Sequence, residues 1–193
     1  MEKSEPSEFI IAVIDKYYPV GTLRQSIYMQ HVRAVADTCA SIIAHNQSIS
    51  VDYQLMIDGA FVHDLGICMT NASDLDCHGS SPYIQHGILG RDMLIKEGLE
   101  KYAPFCERHV GVGLSKEFAA EHGFPQPHID MFPITVEEQI VCFADKFFSK
   151  SLQNLSKPKP LEKIVDGIRK FGQRDLDTFL TWCNCFGTDY LYK

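Results

Sequence analysis

The chain has 193 residues and a formal net charge of -7, a length that suits one domain with a sizeable core and a charge that speaks against broad phosphate-backbone binding, which Lys and Arg carry. No nucleic-acid polymer is therefore expected as a partner, whereas a small anionic substrate held by a local cationic site is compatible. Apolar runs fall far short of the roughly 20 residues that span a bilayer, and Met1-Glu2-Lys3-Ser4-Glu5 lacks a basic, then apolar signal pattern, so a cytoplasmic protein without a membrane partner is expected.

In chain order, Phe9, Ile10, Val13, Ile14 and Tyr17 recur at helical spacing within a terminal helix over about residues 6–18, which Pro19 and Gly21 end. Thr22-Leu23-Arg24-Gln25 has the form of a capping box and opens a long helix to about Asn46. Ser50 or Asp52 caps the next helix, which runs through Leu55, Met56 and Ala60 into His63-Asp64 and stops near Gly66. Residues 67 to 80 show no periodicity and read as a long loop. Ser81-Pro82 reads as the N-cap and first turn of a helix ending at Gly98. A shorter helix carries Phe105 to Val110, closed by Gly111 and Gly113, and another is expected from Ser115 to Gly123.

Phe124-Pro125-Gln126-Pro127 and Phe132-Pro133 mark an extended linker, because Pro biases its predecessor away from helix. Thr135-Val136-Glu137-Glu138 is a second capping box, and its helix carries Val141, Cys142, Asp145 and Phe148. Two amphipathic helices follow Lys157-Pro158-Lys159-Pro160, within about residues 160–185. The expected fold is a single all-α domain, a helical bundle, with its core over about residues 20–150. The seven cysteines are odd in number with no Cys-x-x-Cys pair, which argues against a disulfide framework. Cys39, Cys106 and Cys142 read as small buried hydrophobes, and Cys183-x-Cys185 is a weak zinc signal.

The most informative residues are the His63-Asp64 doublet within Phe61-Val62-His63-Asp64-Leu65-Gly66. An imidazole and a carboxylate at one helix end suit a divalent first-row metal. His31 shares a helical stripe with Val35, Thr38 and Ile42 and therefore faces inward. Asp145 lies between Val141, Cys142 and Phe148 on an apolar helix, where an unpaired carboxylate is costly and asks for a cation. His86 shares a face with Leu89 and Met93, and His109 follows the Phe105 helix. Singly, His31 or His86 reads as a core-edge histidine bonded to a carbonyl, and Asp145 as a partner of Lys146 or Arg108; together the six residues point to one metal site.

That constellation resembles the HD-domain superfamily of metal-dependent phosphohydrolases, whose pattern is His, then His-Asp, then a late Asp, with further histidines between them in the two-metal branch. His63-Asp64-Leu65-Gly66 is similar to the motif that names the HDIG subgroup, and the resemblance covers about residues 20 to 150. It implies that His31, His63, Asp64 and Asp145 bind a first ion, and that His86 and His109 bind a second with Asp64 bridging. It implies one or two divalent ions, with Fe, Mn, Zn, Co and Ni all open. Such a pair activates water for in-line attack on phosphorus, with Asp64 as the catalytic carboxylate. Arg108 and Lys146 are candidate substrate-phosphate contacts, although surface ion pairs explain them equally well.

The resulting expectation is hydrolysis of a phosphoester or phosphoanhydride in a nucleotide or other small phosphorylated metabolite, by a monomer or homodimer. A di-iron oxygenase of the same superfamily and a non-catalytic nucleotide-sensing module stay open. One departure stands out: many HDIG proteins carry Lys after the Gly, where this chain has Ile67. His78 reads as a solvated loop residue, and His45, His122 and His128 as structural or exposed.

Overall fold

The computed structural model describes residues 4–124, 129–150 and 157–192. Pro125, Gln126, Pro127 and His128 of the expected linker lie outside the described residues. Among the described residues the fold is all-α apart from one two-stranded hairpin. Its helices are α1 (Glu8–Tyr17), α2 (Leu23–His45), α3 (Tyr53–Val62), α4 (His86–Lys96), α5 (Ala103–Glu107), α6 (Lys116–Glu121), α7 (Val136–Lys146), α8 (Leu161–Arg169) and α9 (Gln173–Phe186).

The caps explain where these helices begin. Asp52 accepts a hydrogen bond from the Leu55 N–H at 3.0 Å, and Ser115 accepts from the Phe118 N–H at 3.1 Å. Thr22 and Thr135 accept from the Gln25 and Glu138 N–H groups at 3.3 and 3.2 Å. The returning half of each capping box reaches one residue further back than expected. Gln25 accepts from the Gly21 N–H at 3.2 Å, and Glu138 from the Ile134 N–H at 2.8 Å. At the first box the N-cap N–H is already engaged, because Thr22 donates to the Pro19 carbonyl at 3.2 Å.

Two other expectations shift. Residues 67 to 80 are not a plain loop: a 3-10 helix (Leu65–Met69) leads into strands β1 (Asn71–Ala72) and β2 (Cys77–His78), paired antiparallel. Asp76 makes the tight turn in a left-handed conformation at φ 56°, which short polar residues tolerate. Ser81 is not an N-cap. Its carbonyl accepts from the Asn71 N–H at 2.9 Å, so it belongs to the hairpin base; a 3-10 turn (Tyr83–Gln85) intervenes before α4 starts at His86.

One apolar cluster joins residues from Ile10 on α1 to Phe186 on α9. Within it α2, α3 and α7 pack on one another, and α4 packs on the 3-10 helix and α5. The second of these contacts is a seam of glycines. A methyl group on Gly66 would lie 2.1 Å from the His86 carbonyl oxygen and 2.4 Å from the Gly90 nitrogen, and one on Gly87 would lie 2.7 Å from the Cys106 carbonyl oxygen. Only hydrogen fits there, so the backbone carrying His63-Asp64 touches that carrying His86. Buried Asp58 ties α1 and α3 to the turn at Tyr102 just before α5, accepting from the Ser7 N–H and hydroxyl at 2.7 Å each, Tyr102 at 2.8 Å and Gln54 at 3.0 Å. Among the described residues no helix is long and apolar enough to cross a membrane.

Candidate metal centre

Six side chains meet between these two packing units. His31 comes from α2, His63 and Asp64 from the turn that ends α3, His86 from the first residue of α4, His109 from just beyond α5, and Asp145 from the last turn of α7. All are buried, His63 and Asp64 completely. The α3 end is held by its carbonyls: Tyr28 donates to Phe61 O at 2.7 Å and Cys106 to Val62 O at 3.0 Å. Terminal helix carbonyls in a core need such partners.

The two Asp64 oxygens face two different groups. Oδ2 lies 3.1 Å from His31 Nε2 and 3.2 Å from His63 Nε2, and Asp145 Oδ1 lies 3.1 and 3.4 Å from the same nitrogens. Oδ1 lies 3.4 Å from His86 Nε2 and 3.2 Å from His109 Nε2, which are 3.0 Å from each other. The six candidate ligands therefore form two clusters, His31-His63-Asp64-Asp145 and Asp64-His86-His109, that share one carboxylate. Ligands bound about 2.1 Å from a common ion lie about 3.0 Å apart on an octahedral edge and about 3.4 Å apart on a tetrahedral one. The observed spacings fall in that window.

Protonation supports the same reading. The Nδ1 atoms of His63, His86 and His109 lie 2.7, 2.7 and 2.8 Å from the carbonyl oxygens of Ala60, Tyr83 and Cys106. A carbonyl only accepts, so each Nδ1 carries the proton and each Nε2 points inward, the arrangement that fixes a metal-binding imidazole. Burial lowers the pKa of His86, down to about 3, and also that of His109. Both rings are thus neutral, and two nitrogen lone pairs confront each other at 3.0 Å. Asp64 Oδ1, which faces these two rings, has no hydrogen-bond donor among the described residues. A cation between these atoms removes both costs, so the donor set fits a divalent ion in each cluster.

In His63 burial opposes the charge, but the Asp64 and Asp145 carboxylates outweigh it and push the pKa up to about 9. Burial would also raise the Asp64 carboxyl, yet Lys150 and His63 hold it well below the usual carboxylate range. The Lys150 Nζ lies 2.8 Å from Asp64 Oδ2 and 3.5 Å from Asp145 Oδ1. Lys150 escapes sequence inspection because it stands beyond the end of α7; its only signal is a cation five residues after Asp145.

The two expected phosphate contacts part company. Lys146 is at the rim, 2.8 Å from Asp145 Oδ2 and 3.0 Å from the His109 carbonyl. Arg108 is not brought in, because it pairs with buried Glu138 at 3.0 Å. Exposed His78 lies 3.4 Å from Asp76, while His45 and His122 stack on Tyr190 and Phe118. Ile67 is buried in the core. Cys39, Cys106 and Cys142 are buried free thiols, and no cysteine joins either ligand group among the described residues.

Comparison with known proteins adds what the geometry lacks. The chain is 35% identical over 149 residues to the uncharacterized protein MJ0778 of Methanocaldococcus jannaschii, covering 76% of both chains. It belongs to the MJ0778 family. Two further relatives are named tRNA (cytidine(56)-2'-O)-methyltransferase. The Thermoplasma volcanium protein is 28% identical over 84% of this chain, and that of Picrophilus torridus 34% identical over 67%. This member of the MJ0778 family spans only 41% and 38% of their lengths. No family profile and no solved structure matches the chain.

These relatives correct two expectations. Their names describe methyl transfer to tRNA, against hydrolysis of a small phosphorylated metabolite, and they name a nucleic-acid polymer where none was expected. Net charge, on which the second expectation rested, averages over the whole surface and hides local features. Lys146, Lys150 and Lys159 are gathered around Asp145, close enough for their charges to act on one another.

Proposed function

We propose that the chain is a metal-dependent enzyme domain directed at tRNA, acting in the cytoplasm in the ribose modification for which its longer relatives are named. The observation that carries the metal half is the division of Asp64 between two clusters of carbonyl-oriented histidines. The names of the two longer relatives carry the tRNA half. In this reading His31, His63, Asp64 and Asp145 would hold one ion and Asp64, His86 and His109 a second, with Asp64 common to both sets. Kinship with the HD-domain superfamily is extended to the ligand set and not to the reaction.

Bound ions of this kind supply Lewis acidity that polarises an oxygen ligand. The protein's own residues do the rest: backbone carbonyls fix the imidazole tautomers, the packed helices exclude water, and Lys146 and Lys150 present positive charge beside the centre. A chain with net charge -7 meets RNA through such a local feature and not through a broad basic face.

The test loads the full chain with Mn, Fe, Co, Ni or Zn, measures occupancy by elemental analysis, and titrates a tRNA transcript in an electrophoretic binding assay. Occupancy near two ions, with tRNA binding that Asp64→Asn abolishes or strongly weakens, is expected. No retained metal overturns the centre; full occupancy without tRNA binding overturns the tRNA assignment.

A further inference from the structure

Two openings adjoin the centre. A narrow cavity bounded by Arg24, Tyr28 and Ile67 reaches His31 and Asp64. Leu75 and Lys150 line this cavity and also an outer cleft of about 420 Å³, whose walls are Asn71, Ser73 and Asp74 of the hairpin on one side and Tyr83, Ser149 and Lys150 on the other. That volume lies within the roughly 300–1,000 Å³ usual for a small-molecule site. Because His63 and Asp64 are fully buried, a ligand would approach them through these openings, whose volume suits a single nucleotide and not a duplex.

The cleft carries the groups that recognise a single nucleotide. Tyr83 is 38% exposed and packs its ring against His86, with centroids 4.8 Å apart, so it is a supported aromatic surface next to a candidate ligand. Bases stack on such rings whatever their sequence. Lys150 places an ammonium between cleft and centre, 2.8 Å from Asp64. Asp74, which also lines the cleft, is a carboxylate that repels phosphate but can accept a hydrogen bond from a sugar hydroxyl, the group that distinguishes RNA from DNA.

We infer that this cleft takes one unpaired nucleotide of an RNA strand, its base stacked on Tyr83, its phosphate held by Lys150 and its ribose toward Asp74. The inference rests on the tRNA reading above and adds the place and mode of contact. Enzymes that work on a nucleotide commonly take it out of the stack into a closed pocket, and a metal centre at the bottom of a cleft demands the same.

The experiment titrates the metal-loaded full chain with a single-stranded RNA decamer carrying 2-aminopurine, with the same strand in a duplex, and with the DNA decamer. Single-stranded RNA is expected to bind tightest and to show a fluorescence change from stacking. Tyr83→Ala should weaken it about tenfold or more, Tyr83→Phe should keep it, and Lys150→Met should weaken it and reduce the salt slope by about one. Duplex binding as tight as single-strand binding, or unchanged affinity in Tyr83→Ala, overturns the cleft. If tRNA still binds in that case, the tRNA reading survives without it; if no RNA binds in any form, both fall.

Discussion

Replacing Gly66 with Ala tests whether the glycine seam sets the geometry of the centre. The added methyl would sit 2.1 Å from the His86 carbonyl oxygen and 2.4 Å from the Gly90 nitrogen, both backbone atoms. Ordinary contact needs about 3.5 Å, so the 3-10 helix and α4 must separate by about 1.4 Å at the His86 carbonyl. No side-chain rotation relieves the clash. Overpacking of this kind costs about 1–3 kcal/mol, and in a chain of 193 residues each kcal/mol lowers Tm by about 2–4 °C.

The displacement also moves His86, whose Nε2 is 3.0 Å from that of His109. Disturbing the support of a ligand typically costs about 10–100-fold in metal affinity, so the His86-His109 site should weaken by about that factor while the His31-His63-Asp145 cluster keeps its ion. Differential scanning calorimetry and metal-binding calorimetry read the two effects. Gly98→Ala is the control: Gly98 has φ +72° with open space around it, so it carries a conformational cost of about 1 kcal/mol and leaves metal binding alone. Wild-type Tm and two-site binding in Gly66→Ala would refute the reasoning.

Asp64→Asn should lower occupancy of both sites together, whereas Asp145→Asn should lower only one; elemental analysis of each variant separates a bridging from a terminal carboxylate. Metal uptake at pH 7 should release protons, because His63, pushed up to about 9 by its carboxylate neighbours, is protonated without metal and must shed that proton to coordinate. Affinity then falls as pH drops below about 9, and calorimetry in buffers of different ionisation enthalpy counts the protons; a count of zero contradicts the assignment. Asp58→Ala leaves half-buried Ser7 and buried Tyr102 without their acceptor and should cost about 2–4 kcal/mol, read as a loss of Tm with the metal stoichiometry intact.

Much of this architecture was legible in the residues. Caps at Thr22, Asp52, Ser115 and Thr135 mark helix starts because each satisfies a local N–H. His31 declares its burial through the stripe it shares with Val35 and Ile42. The six candidate ligands were legible as a set, since buried polar groups on apolar faces ask for one another. What stayed hidden depends on tertiary contact. Ser81 looks like a cap until the hairpin claims its carbonyl, and Arg108 looks available until Glu138 crosses to meet it. Lys150 has no periodicity to place it, and a summed charge hides that three lysines gather at one spot.

The six candidate ligand side chains are drawn from five separate places between His31 and Asp145. An ion held there would act as a reversible crosslink over more than half of the chain, closing loops that no disulfide closes. Whatever binds only the folded form raises its stability with ligand concentration. The melting temperature of this protein would then depend on the free metal in its surroundings, and the polypeptide could not be assigned one stability without stating that concentration.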